Sequence, residues 1–181
     1  MDLKDSKTYQ NLLQAVSTEG RDFAKYCLYA EQAEKDGYVE IGEVFRETGG
    51  NELHHAEMFL KAMIDDKWQL RHTEDNLKDA ATEEDREDAL YVEAAATARE
   101  EGFAPIANIF ERIAAIEKSH KERYQVILER LQNGEVFKRD DETTVWYCTY
   151  CGHLHVGKEA PKVCPVCFRP QSYFEVRATN Y

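Results

Sequence analysis

The feature that most constrains the fold of this chain is a Glu-x-x-His step that occurs twice. It is found as Glu52 with His55 and again as Glu117 with His120. Residues three apart on an α-helix lie on the same face, so each step presents a carboxylate and an imidazole together. Such a pair can bind a transition metal. Two of these steps on two different helices can therefore bind a pair of metals.

The spacing of apolar residues around these steps predicts long helices. The pattern favours helices over residues 8–36, 38–64, 76–101 and 105–132. Gly37 and Gly102 stand where helices commonly stop, and Asn133-Gly134 ends the last pattern. The polar stretch 65–75 has no clear period and is interpreted as a connection. The pair Gly49-Gly50 inside a helical pattern predicts close packing or a local distortion.

The second and fourth predicted helices are copies of each other, 65 positions apart. The matching residues are Gly37, Ile41, Phe45, Glu52 and His55, which recur as Gly102, Ile106, Phe110, Glu117 and His120. Glu19 and Tyr26 map onto Glu84 and Tyr91 at the same offset. Such a repeat predicts two helical hairpins packed with pseudo-twofold symmetry. That arrangement is a four-helix bundle whose matching residues face its axis.

The candidate bundle ligands are carboxylates and imidazoles at matching places in the repeat: Glu19, Glu52, His55, Glu84, Glu117 and His120. Di-iron carboxylate bundles use this ligand set: one Glu from each of two helices and a Glu-x-x-His step from each of the other two. Glu87 lies one turn beyond Glu84 and could supply a further carboxylate. A single Glu-x-x-His step, or an acidic run such as 83–88, is more often a solvated helix face. The repeat is what favours metal binding here.

Two tyrosines lie on the first and third predicted helices below the candidate ligands. Tyr26 and Tyr91 fall two turns from Glu19 and Glu84, so they could reach the site. Ordinary core tyrosines are the alternative interpretation of both.

Four of the five cysteines form a second pattern near the end of the chain, Cys148-x-x-Cys151 and Cys164-x-x-Cys167. Four thiolates in two knuckles suit zinc or a single iron. A structural zinc ribbon is the alternative. Iron is favoured because a redox-active metal pair on the same chain benefits from a one-electron relay, which zinc cannot provide. The fifth cysteine, Cys27, is interpreted as a small buried hydrophobe.

Changes in composition predict three segments. Residues 1–134 are expected to form the bundle, 135–144 a charged linker, and 145–181 a small four-cysteine domain. The last segment is too short to hold much core, so a metal is expected to stabilise it.

The charge of the chain argues against two classes of partner. There are 35 acidic and 23 basic residues, giving a net charge of −12. An acidic surface repels nucleic acid and anionic lipid. No apolar run approaches the length of a membrane span, and the first residues lack a signal-peptide pattern. These features predict a cytoplasmic protein.

Taken together, these residues resemble the rubrerythrin family, in which a ferritin-like di-iron bundle precedes a rubredoxin domain. The resemblance covers essentially the whole chain. It is carried by Thr18-Glu19, Glu47-Thr48, Glu52-x-x-His55, the run 97–103, Glu117-Lys118-Ser119-His120, the run 134–137, Trp146-x-Cys148-x-x-Cys151-Gly152, Ala160-Pro161-x-x-Cys164-Pro165-x-Cys167 and Tyr173-Phe174-Glu175.

The resemblance implies a mainly α fold, with a ferritin-like four-helix bundle and a small C-terminal rubredoxin-like β domain. It implies two irons in the bundle, bridged by the carboxylates that match Glu52 and Glu117. It also implies one iron in the four-cysteine site, where zinc is a possible substitute. The other implied ligands are His55, His120, Glu19 and Glu84, with Glu87 as a carboxylate that switches on or off a metal. Glu87 and Tyr26 are the candidate catalytic residues.

The third helix departs from the family pattern. Matching it to the family requires a one-residue deletion between Glu87 and Tyr91. Without that gap, Glu83 and Arg86 take the places of Glu84 and Glu87. The internal repeat selects Glu84.

The resemblance implies a peroxidase that reduces hydrogen peroxide to water, with Glu87 moving a proton to the departing hydroxide. The iron held by four cysteines would relay electrons from an NAD(P)H-dependent rubredoxin reductase or a similar donor. A homodimer is implied, with the rubredoxin domain of one subunit against the bundle of its neighbour. The alternative is a ferritin-like ferroxidase that handles iron, but storage needs no electron input. A non-catalytic scaffold with a zinc ribbon is disfavoured by the repeat.

Overall fold

The computed structural model of the chain describes residues 2–64 and 70–179. In this part of the chain there are four long helices: α1 (Lys7–Lys35), α2 (Val39–Ile64), α3 (Thr73–Glu100) and α4 (Ala104–Gln132). Three short strands follow: β1 (Val145–Cys148), β2 (Leu154–Val156) and β3 (Phe174–Val176). The prediction of a mainly helical fold with a small C-terminal strand domain is confirmed.

The chain divides into two compact units, residues 1–71 and 72–181. In the first unit α1 packs against α2 as an antiparallel hairpin. In the second unit α3 packs against α4 in the same way, and the strand domain follows. Each predicted hairpin is therefore present.

Glycines end the first helix of each hairpin as predicted. Gly37 and Gly102 have φ values of 89° and 87°. The next N–H in the chain reaches back to the helix: Tyr38 donates to the Ala33 carbonyl at 2.8 Å and Phe103 to that of Ala98 at 2.7 Å. This geometry caps the last helical carbonyls and requires a left-handed residue, which glycine adopts without steric cost.

The predicted start of the third helix was wrong by three residues. The sequence indicated a connection up to residue 75, whereas α3 begins at Thr73. Its first turn contains Glu74 and Asp75. Their negative charge is favourable at the positive end of the helix dipole, and Lys78 forms an ion pair with Glu74 at 2.8 Å. The predicted connection over residues 65–69 lies outside the described residues.

Small residues let the helices within each hairpin approach closely. The buried positions are Ala30, Ala33, Gly42, Gly49 and Ala56 in the first hairpin and Ala95, Ala98, Ala107 and Ala114 in the second. A Cβ placed on Gly49 would lie 3.3 Å from the Cβ of Tyr26, while one placed on Gly50 meets nothing within 4 Å. The close packing predicted for the glycine pair is therefore found at Gly49 alone.

The C-terminal domain is a three-stranded antiparallel sheet with the order β2-β1-β3. Its core contains Trp146, Cys148, Ala160, Cys164 and Phe174. The Trp146 indole donates to the Gly157 carbonyl at 2.8 Å.

Part of the predicted linker also contacts this domain. Phe137 packs against the core, and its carbonyl accepts from Ala160 N–H at 3.0 Å. The proposed boundaries at 134 and 144 stay a prediction.

Among the described helices, none is both long enough and apolar enough to cross a membrane.

The left-handed cap at Gly102 leads to a stability prediction. Replacing Gly102 with alanine should lower the free energy of unfolding by about 1–2 kcal/mol, because a Cβ is strained at this backbone conformation. Gly102→Asn should cost less, because asparagine tolerates the left-handed region. Chemical denaturation followed by circular dichroism at 222 nm measures both. Equal losses for the two variants would show that the cap conformation is not what the glycine provides.

Candidate metal centres

The first hairpin brings together Glu19 from α1 with Glu52 and His55 from α2. His55 Nδ1 lies 2.9 Å from Glu52 Oε2 and 3.8 Å from Glu19 Oε2. The Glu52–His55 contact follows from their helical spacing. The contact with Glu19 depends on the close packing of α1 against α2. We call this trio the first cluster.

The second hairpin brings together Glu84 from α3 with Glu117 and His120 from α4, which we call the second cluster. His120 Nδ1 lies 2.9 Å from Glu117 Oε2 and 3.4 Å from Glu84 Oε2. The two clusters have the same composition and nearly the same distances. All six candidate bundle ligands therefore fall into two equivalent trios.

One carboxyl in each cluster has a pKa above its ordinary value. A hydrogen bond with Glu52, burial and the charge of Glu52 raise the pKa of Glu19. Burial and a hydrogen bond with Glu117 raise the pKa of Glu84. A raised folded-state pKa means that the stability contributed by the group is present at low pH and is lost as pH rises through that pKa. In the absence of a cation, the ionised clusters therefore oppose folding.

The donor atoms of each cluster fit a metal ion. One ligand atom from each of the three residues lies within 4.8 Å of the others. Carboxylate oxygens with an imidazole nitrogen suit iron or manganese, and the positive charge of a bound ion would relieve the carboxylate repulsion. Three ligands also leave coordination positions open.

The structure separates the two alternative registers of the third helix. Glu84 is the residue near His120, with a side chain only 18% exposed. Glu83 is 52% exposed and forms an ion pair with Arg86 on the surface of the helix. The geometry therefore brings Glu84 to the cluster, as the internal repeat indicated.

Glu87 has a hydroxyl partner one helical turn away. Tyr91 Oη donates to Glu87 Oε2 at 3.4 Å. Burial, the charges of Glu87 and Glu117, and that hydrogen bond raise the pKa of Tyr91. The sequence analysis did not predict this contact, although the i, i+4 spacing of the two residues was a usable signal.

Among the described side chains of the first hairpin, the equivalent residues Asp22 and Tyr26 do not form this hydrogen bond. The residue 65 positions before Glu87 is Asp22, which forms an ion pair with Lys25 at 3.1 Å. The ring of Tyr26 stacks on Phe45 at 6.2 Å and lies 6.1 Å from that of Tyr29. The two hairpins therefore differ in their proton-carrying side chains, and a catalytic role for Tyr26 stays a prediction.

The four C-terminal cysteines converge on one point. Sγ of Cys148 lies 3.8 Å from that of Cys167, and Sγ of Cys151 lies 3.6 Å from that of Cys164. Four sulfurs about 2.3 Å from a tetrahedral metal would be separated by about 3.8 Å. These distances are far longer than a disulfide bond, and all five cysteines are free thiols. The geometry therefore fits a rubredoxin-like metal knuckle.

Backbone N–H groups stabilise the negative charge of these sulfurs. Burial raises the pKa of the Cys164 thiol, but the N–H groups of Cys167 and Val166 lower it to about 7. The N–H of His153 lowers the pKa of Cys151, whereas burial and the three neighbouring thiols raise it to about 12. Thiols bind a metal as thiolates, so metal binding here would release protons.

Comparison with known proteins identifies both parts of the chain. The rubrerythrin family model matches residues 10–74 and 75–150, and the model of the rubredoxin-like domain of rubrerythrin matches residues 146–175. Rubrerythrin-1 of Clostridium acetobutylicum is 40% identical, with 99% of this chain and 98% of that protein covered. Rubrerythrin of Porphyromonas gingivalis is 39% identical, with 99% and 94% covered. A solved nigerythrin chain in a partially reduced state is 28% identical, with 97% and 91% covered and a TM-score of 0.35.

The clusters lead to a prediction about metal content. Glu117→Ala should remove metal from the helical region, because it removes the least exposed carboxylate of the second cluster, 14% exposed. It should leave the four-cysteine site occupied. Metal analysis by mass spectrometry, together with the thiolate-to-iron absorption bands, measures the two sites separately. Glu122→Ala, on an exposed part of the same helix, is the matched control. Retention of two metals in the helical region of Glu117→Ala would refute the ligand role.

Proposed function

The chain belongs to the rubrerythrin family, and from that premise we propose that it is a non-haem di-iron peroxidase. The reaction is the reduction of hydrogen peroxide by two electrons and two protons to two molecules of water. The observation that carries this proposal is the presence on one chain of two equivalent Glu–Glu–His clusters and a four-cysteine knuckle. Together these groups can hold a metal pair and a one-electron relay.

In this proposal Glu52 and Glu117 would be the carboxylates shared by two irons, and His55 and His120 would be the nitrogen ligands. Support comes from the equal 2.9 Å contacts between each of these carboxylates and its histidine. Glu19 and Glu84 are the terminal carboxylates. When bound, the iron pair supplies the two electrons and polarises the peroxide oxygens.

Glu87 and Tyr91 are suited to move a proton at one side of the centre. Because its pKa is raised, the Tyr91 hydroxyl keeps its proton at neutral pH. Glu87 accepts a hydrogen bond from that hydroxyl, so the carboxylate and the hydroxyl form a short proton path. A positioned acid of this kind speeds departure of the hydroxide that forms when the O–O bond breaks. Asp22, neutralised by Lys25 and Arg21, is a poor substitute in the first hairpin.

The four-cysteine knuckle is suited to deliver electrons from outside. Cys148 and Cys164 are buried, whereas Cys151 is exposed. An exposed ligand gives a donor protein a short path to the metal. N–H groups directed at the sulfurs favour the more negative, thiolate-bound states and so adjust the reduction potential.

The proposed peroxidase reaction requires an electron donor. The donor would be an NAD(P)H-dependent rubredoxin reductase or a similar protein. A homodimer, a cytoplasmic location and the absence of nucleic-acid and membrane partners stay predictions based on the sequence.

Spectroscopy and rapid kinetics test this function. The aerobically purified protein should show thiolate-to-iron bands that bleach on reduction. In stopped-flow mixing, the reduced protein should react with hydrogen peroxide faster than with oxygen. A faster reaction with oxygen would favour the ferroxidase alternative and sink the peroxidase. A colourless protein holding one zinc would also refute the peroxidase.

Glu87 leads to a separate kinetic prediction. Glu87→Gln should slow the reaction with peroxide by about 100-fold, because it removes a proton-carrying group that typically contributes 10²–10⁴-fold. Bundle metal should be retained. Asp88→Asn, the adjacent carboxylate, is the matched control and should react at the wild-type rate. An unchanged rate in Glu87→Gln, measured by single-turnover stopped flow, would exclude the proton-transfer role.

A further inference from the structure

A cleft of about 450 Å³ lies where the end of α4 meets the C-terminal domain. Its lining includes Arg130 on α4, Lys138 and Arg139 in the segment that follows, and Lys158 in the C-terminal domain. Four cations therefore line one cleft in a chain whose net charge is −12. A cleft lined by cations concentrates anions from solution. It shares no residue with the metal clusters or with the four-cysteine knuckle.

Backbone hydrogen bonds hold the segments that carry these cations. Arg139 N–H donates to the Lys158 carbonyl at 2.8 Å. At the end of α4, Glu135 N–H donates to the Arg130 carbonyl at 2.7 Å. This second bond occupies a carbonyl at the negative end of the helix, which reduces its repulsion of an anion. The cations are therefore carried on a preformed backbone, so a ligand has less conformational entropy to offset.

Arg139 is half-buried and its guanidinium is held on two sides. The guanidinium lies 5.5 Å from the centre of the Trp146 ring, and Nη1 donates to the Glu135 carbonyl at 2.7 Å and to the Lys138 carbonyl. A guanidinium has five N–H donors, so Nε and Nη2 keep three. No acceptor among the described residues takes these three. A phosphate group suits them, because its oxygens can accept two parallel hydrogen bonds from one guanidinium.

The chain neutralises these cations only in part. Neither Arg130 nor Lys138 has a carboxylate oxygen of the described residues within 4.0 Å. Lys158 pairs with Glu142 at 3.6 Å on the surface. Burial and the positive charge of Arg130 lower the pKa of Arg139. Part of that shift is repulsion between two guanidinium groups, which a bound anion would relieve.

Three carboxylates also line the cleft, from Glu135, Asp140 and Glu159. Glu159 accepts a hydrogen bond from Lys162 at 2.5 Å, and this bond lowers its pKa, so its charge is already balanced. The four lining cations then remain against two carboxylates. The cleft therefore keeps a positive charge.

The lining also indicates which class of anion fits. None of the described residues that line the cleft is aromatic, and the Trp146 ring beside it is fully buried. A nucleotide base therefore has no ring to stack on. We propose that the cleft binds a base-free oxyanion of the phosphate class, either phosphate or pyrophosphate. Arg130 and Arg139 bind its oxygens, and Lys138 and Lys158 add positive charge.

Isothermal titration calorimetry with the metal-loaded full chain tests the proposal. Sodium phosphate and sodium pyrophosphate are titrated in separate experiments, at constant ionic strength and without other oxyanions. The wild type should bind one of these anions, with an affinity that falls as the salt concentration rises. Arg130→Gln should weaken binding by at least about tenfold, because it removes a charge-assisted hydrogen bond. Lys138→Gln should weaken binding in the same direction.

Arg123→Gln is the matched control. Arg123 is exposed two turns earlier on the same helix, so its substitution changes the net charge equally but leaves the cleft intact. This variant should bind like the wild type. Equal affinity in the wild type, Arg130→Gln, Lys138→Gln and Arg123→Gln would overturn the proposal. It would place the anion elsewhere, such as on bound iron, because all four proteins carry the same metals.

Two further results would contradict the proposal. The absence of binding heat with either anion at millimolar concentration would show that the cleft does not hold an oxyanion. A titration with ADP tests the class of ligand. Binding of ADP more than about tenfold tighter than pyrophosphate would show that a base contributes, and would overturn the assignment to a base-free anion. Weaker binding of ADP than of pyrophosphate is the expected result.

Discussion

The contact on which this protein depends is the one between a carboxylate and an imidazole at 2.9 Å, one helical turn apart, which occurs once in each hairpin. By itself such a contact is common on helices. It becomes a metal trio only because a glutamate on the neighbouring helix comes within 3.8 Å in the first cluster and 3.4 Å in the second. Buried alanines and Gly49 make that approach possible. The small residues of each hairpin therefore allow the helices to pack closely and also bring the cluster side chains within contact distance.

The same crowding has an energetic consequence. The pKa of Glu19 is raised by its hydrogen bond with Glu52 and by burial, and that of Glu84 by burial and its hydrogen bond with Glu117, so ionising these two carboxyls without a metal is unfavourable. A bound cation converts this repulsion into attraction. In the four-cysteine knuckle, the His153 N–H lowers the pKa of Cys151, but burial and the neighbouring thiols raise it to about 12. At both kinds of site, ionised ligands without a metal lower the stability of the fold, and a bound metal would raise it.

The internal repeat is incomplete. The residues that differ between the two hairpins are the ones suited to proton transfer. The cluster residues and the cap glycines recur in both hairpins with closely similar geometry. The proton-carrying groups do not, because Glu87 with Tyr91 in one hairpin corresponds to Asp22 with Tyr26 in the other. Asp22 is held by Lys25 and Arg21, which lower its pKa. The candidate metal ligands are therefore symmetric between the two hairpins, whereas the side chains suited to move protons are not.

The sequence by itself determined the helices, their glycine stops, the metal-ligand types and the four-cysteine knuckle. These features depend on local spacing, which is visible in one dimension. The tertiary structure decided that Glu84 rather than Glu83 reaches His120, that Tyr91 meets Glu87, and that Phe137 packs on the C-terminal core. The start of α3 at Thr73 also escaped the sequence analysis, because a polar first turn has no apolar period to reveal it. Such features depend on helix rotation and side-chain packing, where a shift of one residue turns a side chain by about 100° away from its partner.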